Sequence, residues 1–217
     1  IPTPKQLTVS TDDRPTDPHW QIYLSPFFSA HQQNLEQLLV QTAKDIQWVD
    51  TVADANLILN QATDLGDEAY LLRIDKQKIR IGANAYGGLV YAIQSLVQID
   101  VAAQIGSNRL PLVDIEDAPR FVYRGFLLDI SRNFYHLDKI KQVVDLMSIY
   151  KLNHLDLKLT DDEGWRLEIP GLPELTEVGA KRGYTLDEQE RLIPMYGSGA
   201  DGGKTGNGFL SQQDFLF

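Results

Sequence analysis

The sequence contains no cysteine among its 217 residues. Disulfides, thiolate metal sites and a cysteine nucleophile are therefore excluded, while both reducing and oxidising compartments stay open. Only four histidines are present, and none has a partner at the spacing of a histidine metal site: His19, His31, His136 and His154. We therefore predict no metal site and no cofactor.

The sequence is also short of basic residues. Its 20 Lys and Arg residues are outnumbered by 30 Asp and Glu, the formal net charge is −10, and no basic run occurs. A nucleic-acid partner is therefore not expected, because phosphate binding needs a basic face. The sequence has no run of 18 apolar residues, so no membrane span is predicted. The first residues carry neither a start Met nor a signal-peptide pattern, so we expect a trimmed or processed chain.

Residues 1–117 have the patterns of a small α+β domain. Apolar alternation predicts a strand at Trp20–Leu24, and helical periodicity follows it after a candidate Ser29 cap. Further patterns predict a strand at Asn56–Asn60, a hairpin of Tyr70–Ile74 with Lys78–Ala83, and a helix at Ala85–Ile99. Pro111 and the acidic segment Asp114–Pro119 indicate the end of this domain.

Residues 118–217 begin with a β-α-β pattern. Phe121–Ile130 is almost continuously apolar, as in a parallel strand buried on both faces. Asp138 is a candidate cap for the following helix, and a second strand is predicted at Asn153–Thr160. The fold class expected is thus α/β with α+β: a small α+β domain followed by the first β-α-β portion of a (β/α)8 TIM barrel. The barrel is expected to be incomplete, because the sequence pattern identifies only two of its strands.

The second barrel strand has one polar face. Leu155, Leu157 and Leu159 alternate with polar residues that include Asp156 and Lys158. Inside a barrel these charges would need partners, because an unpaired buried charge is costly. On an edge strand the same face would simply be solvated. The pattern leaves both interpretations open.

A connection of about 45 residues follows Asp161, far longer than the usual link of about 2 to 6 residues in such folds. It contains several prolines and a glycine-rich tract between Gly197 and Gly208. A rim loop over a binding site and local disorder both fit this composition. The tract lacks the pattern of a phosphate-binding loop, so no nucleotide site is predicted.

Polar residues stand where the two barrel strands end. Arg132 follows the first strand, and Asp161-Asp162 with Trp165 follow the second. Strand carboxyl ends carry the chemistry of α/β barrels, and carboxylates beside an aromatic ring suit a sugar. An exposed acidic turn, with Trp165 in the core and Arg132 on the surface, is the alternative. Glu163 and Glu168 are assigned structural roles.

Several motifs together resemble family 20 glycoside hydrolases, the β-N-acetylhexosaminidases, and most closely their bacterial chitobiase branch. They are Pro119–Phe121, Tyr123–Gly125, Leu128–Arg132, Tyr150–Asn153, Leu159–Arg166, Leu175–Ala180, Ile193–Gly197 and Gly208–Asp214. The resemblance covers residues 119–217 strongly, and the first section is similar in pattern to the small domain that precedes the barrel in this family.

The resemblance implies an enzyme that removes terminal β-linked N-acetylglucosamine or N-acetylgalactosamine, with chitin oligosaccharides among the candidate substrates. Arg132 matches the arginine that holds sugar hydroxyls, and Asp161 matches an aspartate that supports the catalytic acid through a histidine. The substrate acetamido group is the nucleophile in this retaining mechanism, an exception to the two-carboxylate scheme. The family's adjacent Asp-Glu pair lies on a later strand, so the 217-residue chain alone is expected to be inactive.

The sequence also departs from the family pattern. Asp156-Leu157-Lys158 stands where the family commonly has His-x-His, and Asn133 replaces a frequent histidine. We interpret this as subgroup variation, with loss of function as the alternative. By resemblance, a periplasmic, cell-surface or secreted location is expected, and exposed barrel edges would favour self-association. A non-catalytic module that binds carbohydrate or protein is the alternative function.

Overall fold

A computed structural model of the chain describes residues 2–193 and 206–215. The chain divides into two compact units, Ile1–Val122 and Tyr123–Phe217. The first unit contains, in order, β1 (Gln6–Pro15), β2 (His19–Leu24), α1 (Gln32–Leu39), β3 (Asp45–Trp48), β4 (Leu57–Gln61), β5 (Tyr70–Ile74), β6 (Ile79–Ala83), α2 (Tyr86–Ile105) and β7 (Arg109–Asp117).

The strands of the first unit form one mixed sheet in the order β1-β7-β5-β6-β4-β2-β3. Strands β3, β2, β4 and β6 run parallel to one another, while β5 runs antiparallel to β6 and β7, and β1 runs antiparallel to β7. Helix α2 presents Leu89, Ala92, Ile93 and Leu96 to the core of this unit, at the spacing of one helix face. The predicted α+β architecture of this section is therefore confirmed.

Two details of the first unit correct the sequence predictions. Ser29 does not cap α1, because it lies inside a 3₁₀ helix at Pro26–His31 that precedes the α-helix. No strand is predicted in the acidic segment that ends this domain, but Asp114–Asp117 form the end of β7, which pairs with both β1 and β5. Pro111 is tolerated there because it lies beside an irregularity in β1 and outside the residues that pair with β5.

Helix α2 is long and apolar enough to cross a membrane by length and composition alone. However, 61% of the apolar window is buried in the protein, where the helix covers the sheet. We therefore interpret α2 as the core helix of the first unit.

The second unit contains β8 (Gly125–Asp129), α3 (Leu137–Ile149), β9 (His154–Lys158), β10 (Thr160–Asp161), β11 (Gly164–Trp165), α4 (Glu174–Glu177) and α5 (Gln212–Phe215). Strands β8 and β9 are parallel, and Asp129 is the register partner of Lys158. Strands β10 and β11 form a short antiparallel pair directly after β9. This is the predicted β-α-β unit, followed by its long connection.

The first barrel strand is less buried than its apolar sequence predicts. Phe126 is 42% exposed and Leu127 is 62% exposed, and Phe121–Tyr123 precede the strand. A parallel strand is buried on both faces when further strands and helices cover the sheet, whereas β9 is the one strand that pairs with β8 in the described part of the chain. The prediction of burial on both faces is therefore wrong for this chain.

Helix α3 begins after His136, so the predicted Asp138 cap is also wrong. Asp138 lies instead in the first helical turn, where its negative charge faces the positive end of the helix dipole. Below the helix, Leu155, Leu157 and Leu159 pack around a small core that includes Ile130 and Ile140, which confirms the predicted apolar face of the second strand.

Candidate functional site

Arg132 and Asp161 lie side by side at the carboxyl ends of β8 and β9. Arg132 Nη2 is 3.0 Å from Asp161 Oδ2. This proximity follows from the parallel pairing, because the carboxyl ends of adjacent parallel strands meet at the same edge of the sheet. The two residues singled out from the sequence are thus brought together.

Asp129, the last residue of β8, fixes the turn that carries Arg132. Its Oδ1 accepts hydrogen bonds from the backbone N–H groups of Ser131 (3.0 Å) and Arg132 (3.1 Å), and its Oδ2 accepts one from Arg132 Nη1 at 2.6 Å. Partial burial alone would raise the pKa of Asp129, but these bonds and the nearby Lys158 charge lower it below the ordinary value. Asp129 therefore orients both the backbone and the guanidinium of Arg132.

Lys158 provides a second cation at the strand ends. Its Nζ is ion-paired with Asp161 Oδ2 and lies 3.9 Å from Asp129 Oδ2. The hydrogen bond from Lys158, with the charge of Arg132, lowers the pKa of Asp161 against the opposing effect of burial. The polar face of β9 is therefore divided: Lys158 has carboxylate partners, whereas Asp156 is exposed and accepts a hydrogen bond from the Tyr123 hydroxyl.

Glu163 joins this cluster from the turn after β10. Its carboxylate, only 4% exposed, lies 2.9 Å from Arg182 Nη2 and 3.5 Å from Arg132 Nε. Arg182 is itself buried. The structural role predicted for Glu163 fits this burial, but its contact with Arg132 was missed. No sequence signal pairs Glu163 with Arg182, because an irregular segment of the chain separates them.

Arg166 ties the long connection to the end of β8. It is fully buried, and its guanidinium donates to the backbone carbonyls of Ile130, Ser131, Ala180 and Gly208 at 2.7–3.1 Å. Burial, with the neighbouring Arg182 charge, lowers the pKa of Arg166 to about 10, so the side chain is still protonated at neutral pH. The connection is therefore held at this site by the Arg166 guanidinium. In the hydrogen bonds described for it, every acceptor is a backbone carbonyl.

A cavity of about 490 Å³ opens beside Asp161. Its lining includes Asp161, Asp162, Trp165, Leu175, Val178 and Leu192. Trp165 is half-buried, and its Nε1 donates to the Leu167 carbonyl at 2.6 Å, which fixes the ring in the cavity wall. The arrangement favours the interpretation of Trp165 as an aromatic wall beside carboxylates over that of a core plug.

The remaining sequence candidates contribute little to this site. Glu168 is exposed and accepts a hydrogen bond from the Gln212 backbone N–H. In residues 2–193 and 206–215, no group of three potential metal ligands occurs. Pro194–Gly197 and most of the glycine tract, for which a rim loop and local disorder were the two expectations, lie outside the described residues.

The strand-end cluster contains charges of both signs, and two of its cations, Arg132 and Lys158, are partly exposed. Its members are the carboxylates Asp129, Asp161 and Glu163 and the cations Arg132, Lys158 and Arg182, with the charged Arg166 beside Arg182. Arg132 is 39% exposed, so its guanidinium is held by carboxylates yet open to solvent. Such a fixed donor can bond neutral hydroxyl groups of a ligand.

Two family models match almost the whole chain. The model described as "Glycosyl hydrolase family 20, domain 2" matches residues 1–118. The model described as "Glycosyl hydrolase family 20, catalytic domain" matches residues 121–216.

Among curated proteins, an N,N'-diacetylchitobiase of Vibrio harveyi is 42% identical over 189 residues, covering 87% of this chain and 21% of the relative. A β-hexosaminidase B of Pseudoalteromonas piscicida is 38% identical, covering 100% of this chain and 27% of the relative. The chain thus spans about a quarter of the length of these relatives.

A similar fold occurs in a solved exo-β-N-acetylglucosaminidase from Vibrio harveyi in complex with N-acetylglucosamine. It has a TM-score of 0.80 and 29% identity, with 99% of this chain and 32% of that chain covered.

Proposed function

The chain belongs to glycosyl hydrolase family 20, and on this premise we propose that the protein containing it removes terminal β-linked N-acetylhexosamine from oligosaccharides. N-acetylglucosamine and N-acetylgalactosamine are the sugars proposed, and chitin fragments are the proposed source. The relatives named as a chitobiase and a hexosaminidase, and the solved relative bound to N-acetylglucosamine, support this substrate class.

The observation that carries the proposal is the 3.0 Å contact between Arg132 and Asp161 at adjacent strand ends. We propose that Arg132 binds hydroxyl groups of the terminal sugar, with its guanidinium oriented by Asp129, Asp161 and Glu163. Because three carboxylates fix the Arg132 guanidinium, little conformational entropy would be lost when sugar hydroxyls bind to it.

Asp161 is proposed to support catalysis rather than to transfer the proton. Its contacts with Arg132 and Lys158 favour the ionised form, as the lowered pKa indicates, so it is suited to accept hydrogen bonds. By the family resemblance, it would hold a histidine of the remaining barrel that assists the catalytic acid. The substrate acetamido oxygen would then act as the nucleophile.

The 217-residue chain by itself is proposed to be inactive. Its Asp162-Glu163 pair is not a suitable catalytic pair, because the Glu163 carboxylate is 4% exposed and contacts two arginines. A general acid must reach the leaving oxygen of the substrate, and Glu163 faces the protein interior instead.

The test is an assay of p-nitrophenyl N-acetyl-β-glucosaminide hydrolysis by the full-length gene product and by the 217-residue chain. We expect turnover by the full-length protein and none above background by the chain. An inactive full-length protein, tested also on the galactosaminide, would contradict the proposed activity. Activity of the purified chain would contradict the proposal that the catalytic Asp-Glu pair lies outside these 217 residues.

For an enzyme that acts on chitin fragments, we also propose a periplasmic, cell-surface or secreted location. This proposal rests on the family resemblance. Fractionation of the source cells, followed by detection with an antibody against the chain, would test it. Recovery in the cytoplasmic fraction alone would contradict it.

A further inference from the structure

We propose that Lys158 is a positioning residue, which fixes the carboxylate of Asp161 and supplies part of the positive charge that compensates it. The inference rests on the proposed hydrolysis and deepens it by assigning a role to a residue that departs from the His-x-His pattern. Lys158 acts through Asp161 and is not proposed to touch the reacting atoms.

The strand register places Lys158 where it can bridge two carboxylates. Lys158 is paired with Asp129 across the parallel strands, so its side chain emerges beside the turn that carries Arg132. From there its Nζ reaches Asp161 Oδ2 and lies 3.9 Å from Asp129 Oδ2. The side chain is 34% exposed while that of Asp161 is 9% exposed, so Lys158 bonds a largely covered carboxylate from the solvent side.

Lys158 and Arg132 contact the same carboxylate oxygen of Asp161. Asp161 Oδ2 contacts both Lys158 Nζ and Arg132 Nη2, and Asp129 Oδ2 is shared by the same pair of side chains. Without Lys158, Arg132 would be the one remaining cation on both oxygens within the described residues. A guanidinium drawn further onto two carboxylates is less available to neutral hydroxyl groups, and Asp161 loses the contact that sets its orientation.

Removal of Lys158 would also take away one of the two cations that contact Asp161, leaving Arg132 as the other among the described residues. Arg182 and Arg166 do not replace it, because Arg182 is paired with Glu163 and Arg166 bonds backbone carbonyls. Asp162, Glu174 and Glu188 line the cavity beside Asp161 and add negative charge there. A neutral sugar brings no cation, so the compensation at Asp161 comes from Arg132 and Lys158.

The sign of the expected pH effect follows from this charge arrangement. Lys158 contributes first among the causes that lower the pKa of Asp161, and Arg132 contributes in the same direction. Loss of the lysine charge therefore raises the pKa of Asp161, and more of this group is protonated under acidic conditions. Since the proposed role needs the carboxylate, the acidic limb of the kcat profile should move to higher pH.

The experiment compares the full-length protein with its Lys158→Met, Lys158→Arg and Lys139→Met variants over a range of pH. Lys139 is a matched control, because it is an exposed lysine on α3 whose Nζ bonds Gln142. We expect Lys158→Met to lower kcat by up to about 100-fold, as for a misplaced supporting group, and to shift the acidic limb upward. Lys158→Arg should keep kcat and the acidic limb of the pH profile close to those of the wild type. Lys139→Met should match the wild type in both.

Two results would overturn the role of Lys158 while leaving the proposed hydrolysis intact. One is a Lys158→Met variant with the kcat and acidic limb of the wild type. The other is a loss of kcat that Lys158→Arg does not restore and that leaves the acidic limb in place, since this would indicate a merely structural lysine. No hydrolysis by the wild type at any pH would instead overturn the proposed function, and this inference with it.

Discussion

Glu163 is the residue in the second unit whose environment differs most from that of an ordinary acidic turn residue. Its carboxylate is buried between Arg182 at 2.9 Å and Arg132 at 3.5 Å. Ion pairs in such a setting contribute little net stability when both partners are present, but removing one partner leaves a buried charge without full compensation. Arg182 is therefore expected to be more important for stability than an exposed arginine.

The Arg182→Met variant of the full-length protein should lose about 3 kcal/mol of stability against denaturant. Adding Glu163→Gln should recover part of that loss, because the double variant no longer buries an uncompensated carboxylate. Denaturation curves of the wild type, both single variants and the double variant measure this coupling. Additive losses for the two substitutions would contradict the proposed buried pair.

Arg132 and Asp161 were found from the sequence alone, whereas Arg182 was not. The first two follow apolar strands, and parallel strands end at a common edge, so their proximity could be predicted from strand order. Arg182 approaches Glu163 through the irregular connection after β11, where no periodicity fixes the direction of the chain. Side-chain pairing across such a segment depends on tertiary packing that local patterns do not contain.

At the scale of elements, the start of α2 contains two adjacent glycines in different surroundings. A Cβ on Gly88 would lie 2.2 Å from the Ala69 carbonyl oxygen, whereas a Cβ on Gly87 would meet nothing closer than 3.5 Å. The close approach of α2 to the segment before β5 therefore requires glycine at Gly88 only. Gly87 carries the ordinary cost of glycine in a helix.

We expect Gly88→Ala to destabilise the first unit by about 1–3 kcal/mol, since the methyl group would displace backbone. Gly87→Ala, its matched control one residue away, should be neutral or stabilising by up to about 1 kcal/mol. Thermal melting of both variants distinguishes the two effects. A Gly88→Ala variant as stable as Gly87→Ala would contradict the packing of this helix against the sheet.

The long connection after β11 is organised by Arg166. The guanidinium bonds main-chain carbonyls on both sides of the connection, and Arg166 also bonds Leu159 and Leu210 through its backbone. Loss of these bonds would leave several buried carbonyl groups without donors.

Arg166→Met should therefore loosen the connection and make the segment near Arg191 a site of rapid cleavage by trypsin. Arg191→Met is a partial control, because it removes the cleavage point itself, while Arg73→Met tests an exposed arginine of the first unit. Limited proteolysis followed by mass spectrometry gives the cleavage rates. Equal rates for Arg166→Met and the wild type would contradict the anchoring role of Arg166.

Elements with a buried, periodic face were the ones that the sequence predicted best. Helix α2 and strands β5 and β6 have such faces. Their predicted bounds agree with the observed ones to within a few residues, except that α2 extends further at its carboxyl end. Strand β1 was missed because nearly all of its residues are exposed, so no apolar alternation identifies it. Strand β7 was missed because its proline and acidic residues have the composition of a linker, although alternate residues are buried.

The bonds of Arg166 could not be predicted from the sequence for a different reason. Its acceptors are backbone carbonyls, and every residue type carries one, so no side chain identifies the partner. The sequence therefore predicts which residues carry charge at the strand ends, while the structure is needed to find what supports them.

At the scale of the whole molecule, the second unit exposes apolar side chains, and β8 and β9 pair only with each other in their sheet within the described residues. Leu127 is 62% exposed, Leu146 is 55% exposed and Tyr150 is 57% exposed. Exposed apolar groups beside open strand edges favour association between chains. Self-association of the isolated chain is thus a physical expectation from this surface.

The isolated 217-residue chain should associate increasingly with concentration, and Leu127→Lys should reduce the association by placing a charge beside the open edge. Leu186→Lys is the control, because Leu186 is fully exposed and lies in the connection rather than in a strand. Light scattering over a concentration series measures the effect. A monomeric wild-type chain at all concentrations, or equal effects of the two substitutions, would contradict the expectation.

Arg132, which follows β8, is proposed to hold the terminal N-acetylhexosamine. Calorimetric titration of N-acetylglucosamine into the full-length protein, its Arg132→Ala variant and the Arg73→Ala control tests this role most directly. We predict that Arg132→Ala weakens binding by about 10- to 100-fold, as for lost hydrogen bonds to a charged donor, while Arg73→Ala binds as the wild type does. Equal affinity of the Arg132→Ala variant and the wild type would contradict it.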